Sequence, residues 1–234
     1  RSRIPETPTY TAIEARGEIA RAPLRTVFGR HPLQLLQVAA IQFVGVPYYL
    51  WSTFVPTYAH LVGHLSLSLA LTGNTIGLLV YLVALPVVGR LSDRFGRKPF
   101  LLASAVGLVV LVYPCFLLLH SPSLGAYLIA NLVGWLLLSM IEALGPAVMV
   151  ELLPADVRVS GIGVPYQLST AVLAGTAPLL ASWFIAIGHP TYIAFYVILV
   201  MLVAGLLYLT IPETRSRQVT FTGEAEATPA GAAD

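Results

Sequence analysis

Charged residues are scarce in this chain of 234 residues, since Asp, Glu, Lys and Arg together make up 10% of it while 57% is hydrophobic. Soluble domains carry roughly 25% charged residues, so this composition excludes an ordinary water-facing surface. The mean hydropathy of +0.81 is typical of an integral membrane protein. A net charge of +2, without aromatics interleaved among the basic residues, argues against a nucleic-acid partner.

Cysteine is nearly absent, since Cys115 is the only one. A single cysteine excludes an internal disulfide and any cysteine-based metal cluster. The apolar segments also lack a cluster of His and carboxylate residues that could hold a catalytic metal. We therefore expect no metal and no cofactor, and we do not expect an enzyme.

Three long stretches contain almost no charge: residues 31–89, residues 99–150 apart from Glu142, and residues 159–212. A membrane-spanning helix needs about 20 apolar residues, so each stretch can hold two spans and a short turn. The sequence predicts an all-α polytopic membrane protein, with a six-helix bundle over residues 33–211. The predicted spans are residues 34–58, 68–88, 99–119, 125–149, 160–187 and 191–211.

The positions of the basic residues predict the orientation. None of the 13 Lys and Arg residues lies in the three turns inside the predicted hairpins. Under the positive-inside rule, both termini and the two charged connections face the cytoplasm of a multi-pass plasma-membrane protein. Residues 1–32 are predicted to form a cytoplasmic connection with a basic amphipathic helix, and residues 212–234 a disordered cytoplasmic tail.

The most specific signal is the connection after the second span, residues 89–98, which has the sequence GRLSDRFGRK. It resembles the signature loop of the major facilitator superfamily, G-x-x-x-D-[RK]-x-G-[RK]-[RK], at every fixed position. Residues 151–154, followed by Arg158 and Gly161, resemble a second segment of that superfamily. The resemblance implies a cytoplasmic gating motif made of Gly89, Asp93, Arg94, Gly96, Arg97, Lys98, Glu151 and Arg158.

Other stretches resemble particular branches of the superfamily. Residues 6–8 and 49–58 are similar to the metabolite–proton symporters, whose known members carry shikimate, 2-oxoglutarate, citrate or proline and betaine. This likeness implies proton-coupled, secondary active transport of a small anionic or zwitterionic metabolite by alternating access. Residues 212–215 also resemble the sugar transporters, but Ser216 stands where Gly is usual, so a sugar-type facilitator or symporter is the alternative. A channel or a non-transporting membrane scaffold is the alternative outside the superfamily.

A short repeat suggests that the chain is half of a transporter. The sequence IPET occurs at residues 4–7 and again at residues 211–214, where it follows the last predicted span. The first copy is then expected to follow an earlier span, and the superfamily resemblance implies twelve helices in total. The expected partners are a missing N-terminal six-helix half, the lipid bilayer, a small-molecule substrate and protons, and the complete protein is expected to be monomeric.

Polar side chains divide the predicted spans into two groups. Amides or carboxyls occur in the first, second, fourth and fifth spans, whereas the third and sixth have almost none. Because such groups are costly to expose to lipid, the first group should turn them inward and the third and sixth spans should lie outside, facing lipid.

Glu142 is the one charged residue inside a predicted span, roughly 13 Å along a helix from Glu151 and thus near mid-membrane. We expect it to couple protons or contact substrate, with a neutral acid that ties two helices together as the alternative. The other candidates for the substrate or proton path have interhelical hydrogen bonding as their alternative role. They are Asn131, Gln42, Tyr49, Asn74, Tyr166 and Gln167.

Overall fold

The computed structural model describes residues 28–154 and 157–214. Within these ranges there is no strand, and six helices are long and apolar enough to cross a membrane. We number them α1 (Pro32–Leu61), α2 (Leu67–Phe95), α3 (Arg97–Leu118), α4 (Leu124–Leu152), α5 (Arg158–Ala186) and α6 (Tyr192–Thr210). The predicted all-α fold with six spans is confirmed. The predicted amphipathic helix up to residue 27 and the predicted tail from residue 215 lie outside the described residues.

Short turns join the helices of each hairpin, as the sequence predicts. The Ser66 hydroxyl accepts the backbone N–H of Leu69 at 3.4 Å, and Ser123 accepts that of Ala126 at 3.4 Å. These serines satisfy backbone donors that the first turns of α2 and α4 leave without an intrahelical partner. Two of the three turns are thus fixed by a serine immediately before the helix.

The connection between α2 and α3 differs from the prediction. Residues 89–95, expected in a loop, continue α2 as far as Phe95, and Gly96 alone separates the two helices. Long charged side chains are good helix formers, so the helix extends beyond its apolar part instead of ending there. Gly96 makes the reversal with φ +102°, a conformation that favours glycine. Gly89, the first residue of the signature motif, lies inside the helix.

Three of the six helices are interrupted near their middle. In α1, residues 43–44 separate two helical parts, and Leu50–Phe54 is a π-helix. In α4, residues 143–144 separate Leu124–Glu142 from Gly145–Leu152, and in α5 the segment Thr170–Ala174 is a π-helix. Prolines cannot donate to the carbonyl four residues earlier, which explains why breaks occur next to them. They are Pro47 and Pro56 in α1, Pro146 in α4 and Pro178 in α5.

The packing order defines which helices contact each other. α3 packs against α4 and α6, α2 packs against α4, and α1 packs against α5 and α6. In the most apolar stretch of each helix, 67% of α1 is buried, 39% of α3 and α6, and 22% of α2 and α5. Mutual packing buries one side of both α3 and α6. Because burial within the six helices does not distinguish lipid from other protein surface, the lipid-facing position of α3 and α6 stays a prediction.

Candidate functional site

A cavity of about 240 Å³ lies between α1, α4 and α5. Its walls are mostly aliphatic, from residues such as Ile41, Ile141 and Met149. Three polar side chains join this lining, namely Gln42, Glu142 and Tyr166. All three were predicted for the substrate or proton path, so the fold brings three of those seven candidates, from three separate helices, to one place.

The break in α4 positions Glu142 at the cavity. The helix stops at Glu142 and resumes at Gly145, because Pro146 has no N–H to donate to the Glu142 carbonyl. Among the described residues, the Glu142 carboxyl has neither an ion pair nor a hydrogen bond. A half-buried carboxyl in this setting can bind a proton or meet a ligand, because no protein partner satisfies it.

The titratable neighbours of Glu142 are tyrosines from other helices. Tyr48 of α1, Tyr81 of α2 and Tyr208 of α6 lie close enough to interact with it electrostatically. Tyr166 of α5 lines the same cavity. Tyr208 is fully buried and donates to the Ala40 carbonyl at 3.1 Å, so its hydroxyl is already used. Within the part of the chain that the structure describes, the titratable groups near this carboxyl are therefore tyrosines and not cations.

Gln42 both lines the cavity and joins two interrupted helices. Its Nε2 donates to Thr170 Oγ1 at 2.9 Å, at the first residue of the π-helix in α5. The two backbones approach closely here, since a Cβ on Gly45 would lie 2.9 Å from the Ala174 Cβ. The breaks in α1 and α5 are thus in direct contact beside the cavity.

Asn74 and Asn131 lie in a buried interhelical network away from the cavity lining. Asn131 Nδ2 donates to the Gly73 carbonyl at 3.0 Å, and Trp135 Nε1 donates to Asn74 Oδ1 at 3.1 Å. Asn74 Nδ2 donates to the Ser52 carbonyl at 3.1 Å. That carbonyl is free because residue 56, four positions on, is a proline. For these two asparagines the structure gives interhelical hydrogen bonds, which was the alternative role.

Tyr49 and Gln167 are exposed and do not line the cavity. The seven-residue spacing of Gln42 and Tyr49 would place them on one face of an unbroken α1. The interruption at residues 43–44 lies between them and changes the rotation along the helix, so that spacing no longer applies. Gln167 has no side-chain hydrogen bond within the described part of the chain, and its neighbour Tyr166 lines the cavity instead.

The sequence reasoning missed an aromatic cluster formed by Tyr48, Tyr81 and Trp135, on α1, α2 and α4. Their ring centroids are 6.3 Å apart for Tyr48–Tyr81, 5.8 Å for Tyr48–Trp135 and 5.0 Å for Tyr81–Trp135. Tyr81 follows Asn74 by seven residues on an unbroken helix, so the two share a face. That spacing was the signal that could have found it.

At the end of the bundle that contains the signature motif, side chains of this motif hold helix ends together. Arg97 at the start of α3 forms an ion pair with Glu151 near the end of α4. Lys98 Nζ donates to the Leu209 carbonyl at 2.7 Å, near the end of α6. Arg158 Nη2 donates to the Leu153 carbonyl at 3.2 Å, which joins the start of α5 to the end of α4. Cations at carbonyl-rich helix ends are favourable, so these contacts tie α3, α4, α5 and α6 together.

Glu213, which was not among the predicted site residues, caps α3. Its carboxylate accepts the backbone N–H groups of Arg97 at 2.9 Å and Lys98 at 3.2 Å. An acid at a helix N-terminus is favourable because the first backbone donors there have no intrahelical partner. Its signal in the sequence was the second IPET copy. A Cβ on Gly96 would lie 2.7 Å from Glu213 Oε2, so glycine is needed there for space as well.

Three other residues of the signature motif make weaker contacts. The Asp93 carboxylate is 71% exposed, and its Oδ1 lies 3.8 Å from Arg97 Nη2. Arg94 is exposed and lies over the ring of Phe95, and a Cβ on Gly89 would meet nothing within 4 Å. An acid at this position could pair with nearby cations or with a helix N-terminus. In the structure Arg97 pairs mainly with Glu151, and Glu213 occupies the N-terminus of α3.

The fold and site define a polytopic α-helical membrane protein with a cavity between interrupted helices and a charged network at one end. The chain belongs to the Major Facilitator Superfamily, whose family profile matches residues 43–232. The ectoine/proline transporter ProP of Corynebacterium glutamicum is 30% identical over 231 residues, covering 93% of this chain and 45% of the relative. The proline/betaine transporter of Escherichia coli strain K12 is 32% identical over 177 residues, covering 74% of this chain and 35% of the relative.

A third relative is the glycine betaine/proline/ectoine/pipecolic acid transporter OusA of Dickeya dadantii, 29% identical over 179 residues, covering 74% of this chain and 34% of the relative. The chain thus spans less than half the length of these curated relatives. No solved structure matches it significantly. The relatives confirm that the chain belongs to a family of transporters and not to a class of enzymes.

Proposed function

We propose that the chain forms one half of a secondary active transporter that moves a small zwitterionic metabolite together with protons. The observation that carries this proposal is the convergence of Glu142, Gln42 and Tyr166 on one cavity where α4 is interrupted. The relatives are named for ectoine, proline and betaine, which are zwitterions near neutral pH. Their names favour the zwitterionic class over the purely anionic one.

In this proposal Glu142 is the proton site. A carboxylate without a protein partner near mid-membrane costs several kcal/mol when charged, and binding a proton removes that cost. Because the residue lines the cavity, its proton and a bound solute can influence each other's affinity directly. Gln42 and Tyr166 provide hydrogen-bonding groups at the same cavity.

Alternating access would then move this six-helix unit against a second one, the missing N-terminal half. The contacts of Arg97, Lys98, Arg158 and Glu213 make the ends of α3 to α6 one connected body at one membrane face. The positive-inside rule places that face in the cytoplasm, with both termini of the chain on the same side of a plasma membrane. The complete protein would be a monomer of two halves.

The rival functions have less support. A sugar requires several hydrogen-bonding groups, whereas the cavity lining is mostly aliphatic. The PETR segment that resembles the sugar branch contributes Glu213 to the cytoplasmic network and not to the cavity. A channel or a scaffold would give no reason for a carboxyl without a partner at the interruption of α4.

The test is transport by the intact protein reconstituted in liposomes with an imposed proton gradient. Labelled proline, betaine and ectoine should accumulate in a saturable way, and an ionophore that collapses the gradient should abolish the accumulation. Glucose serves as the competing solute. Glucose uptake in place of zwitterion uptake, non-saturable conductance, or no uptake would indicate the sugar, channel or scaffold alternative respectively, and each would reject the proposal.

A further inference from the structure

We propose that the faces of Tyr48 and Tyr81, backed by Trp135, form the subsite that binds the cationic group of the zwitterionic substrate. This inference rests on the proposed function and adds to it the chemistry that recognises the substrate's positive end. Aromatic faces attract alkylated ammonium groups because their π-electrons give the face a negative potential.

The geometry of the cluster fits such a subsite. The ring planes of Tyr48 and Trp135 are at 85°, and those of Tyr81 and Trp135 are at 55°, so the rings are not stacked flat on one another. Tyr48 and Tyr81 are half-buried, whereas Trp135 is fully buried. The two tyrosines can therefore offer ring surface to a ligand while Trp135 forms the wall behind them.

The buried network holds that wall in place. Asn74 accepts the Trp135 Nε1 hydrogen at 3.1 Å and is itself fixed by its bond to the Ser52 carbonyl. A Cβ on Gly77 would lie 2.4 Å from Trp135 Cδ1 and 2.5 Å from Asn131 Nδ2, so α2 and α4 are in close contact there. A binding surface with fixed side chains loses little conformational entropy when the ligand binds.

The surface beside the cluster is polar on α1 and aliphatic on α2. On α1 the neighbouring exposed side chains are Tyr49 and Thr53, whereas on α2 the exposed neighbours of Tyr81 include Leu78 and Leu82. On α6, by contrast, the exposed side chains at this depth are aliphatic, as with Leu199, Leu202 and Leu206. Because polar groups in spans are costly against lipid, the α1 surface beside the cluster is suited to a water-filled path.

Neutral rings also avoid a competition between the proton and the substrate's cation for Glu142. Tyr48 and Tyr81 lie within electrostatic reach of this carboxyl. A carboxylate that binds a proton can no longer serve as the counter-ion of a cation, so Glu142 alone would make proton and substrate compete. The ring faces attract the cation whatever the state of Glu142, which allows both to be bound at once, as symport requires.

The same reasoning places the substrate's carboxylate elsewhere. Among the described residues, every Lys and Arg lies at the cytoplasmic end of the bundle, and the cavity and cluster contain none. The described residues thus offer the substrate's carboxylate no cationic partner at the cavity or the cluster, whereas the ring faces suit the cationic end of the zwitterion.

The experiment compares two ligands of nearly equal shape with the purified intact protein. Glycine betaine carries a trimethylammonium group, and 3,3-dimethylbutanoate carries a neutral tert-butyl group in its place. The variants are Tyr81→Leu, Tyr81→Phe and Tyr48→Leu, and the control is Tyr113→Leu, which removes an exposed ring on α3 that packs against Phe195. Equilibrium dialysis gives Kd for each ligand, and liposome uptake is measured in parallel.

We expect Tyr81→Leu and Tyr48→Leu to raise the betaine Kd by about threefold to thirtyfold, the range of a cation–π contact. Tyr81→Phe, which keeps the ring, should change it by less than about threefold. Neither ligand should be affected by Tyr113→Leu, and 3,3-dimethylbutanoate should bind wild type and all variants alike.

The outcomes separate the subsite from the proposed function. Equal losses for both ligands in Tyr81→Leu, or wild-type binding that does not prefer betaine, would reject the aromatic subsite. Normal betaine uptake with an unchanged Kd in both leucine variants would reject the subsite and keep the proposed function. Ring-dependent betaine binding without any uptake would support the subsite and reject the proposed function.

Discussion

The end of the bundle that contains the signature motif and the middle of the bundle use charged side chains in opposite ways. At the motif end, Arg97 pairs with Glu151, and Glu213 and Lys98 bind the backbone at helix ends. In the middle, the carboxyl of Glu142 has no ion pair or hydrogen bond within the part of the chain that the structure describes. Charges with partners stabilise the fold, whereas a charge without one raises the energy of the site until a ligand or proton arrives.

Backbone regularity differs between the same two regions. At the motif end, α2 is regular up to Phe95, and α3 begins directly after Gly96. The helices around Glu142 are interrupted, in α1 at residues 43–44 and in α4 at residues 143–144. We infer that the helices are rigid at the end that contains the signature motif and can change shape around Glu142. The variants below test that difference, in order of expected effect.

The largest expected effect on transport, and the clearest contrast between the two regions, comes from replacing one glutamate by glutamine in each region. With a gradient of one pH unit, coupling to one proton supports about tenfold accumulation of a neutral solute. Glu142→Gln cannot bind the coupling proton, so accumulation should fall to about equilibration while exchange down a gradient continues. Glu151→Gln, on the same helix, should keep accumulation and its pH dependence but lower the thermal stability.

Liposome uptake at several external pH values measures both variants. Normal accumulation and unchanged pH dependence in Glu142→Gln would leave that residue only a structural role. If Glu142 instead contacts the substrate's cation, the apparent affinity should fall without loss of coupling. Loss of coupling in Glu151→Gln as well would remove the contrast between the two regions.

The next largest effect is expected at Gly134 of α4, which packs against Trp51 of α1. A Cβ there would lie 1.8 Å from Trp51 Nε1, and Trp51 is fully buried and cannot move aside. We expect Gly134→Ala to lower the free energy of unfolding by about 1–3 kcal/mol through overpacking. The matched control is Gly163→Ala on α5, where a Cβ meets nothing within 4 Å. Thermal denaturation in detergent compares them, and equal melting temperatures would contradict the packing of α1 against α4.

The sequence was sufficient for the number and type of helices because long uncharged stretches and the serines before α2 and α4 are local signals. It also selected Gln42, Glu142 and Tyr166, which line the cavity, since polar side chains in apolar spans are conspicuous. It could not separate these from Asn74 and Asn131, because the same polar residue types line cavities and form interhelical bridges. That distinction depends on where α1 and α4 are interrupted and on which backbone carbonyls the prolines leave free.

The two glycines of the signature motif, Gly96 and Gly89, allow a matched comparison of alanine substitutions, with a smaller expected effect on stability. Gly96 has φ +102° and would place a Cβ 2.7 Å from Glu213 Oε2. Gly96→Ala should lower the free energy of unfolding by about 1–3 kcal/mol, because this conformation is nearly restricted to glycine and the Glu213 cap would be displaced. Gly89→Ala, inside α2 and in open space, should be neutral or slightly stabilising. Equal effects of the two substitutions on thermal denaturation would contradict the single-residue turn.

The smallest stability effect is expected at Asp93, although it stands at a fixed position of the motif. Its carboxylate is 71% exposed and 3.8 Å from an Arg97 whose stronger partner is Glu151, so Asp93→Asn should change the free energy of unfolding by less than about 1 kcal/mol. Transport by the intact protein is the informative measurement. Impaired uptake with unchanged stability would mean that Asp93 acts on a group outside the described residues, as closure against a second half requires. Unchanged uptake would leave it a surface charge, and closure would then not depend on the fixed acid of the motif.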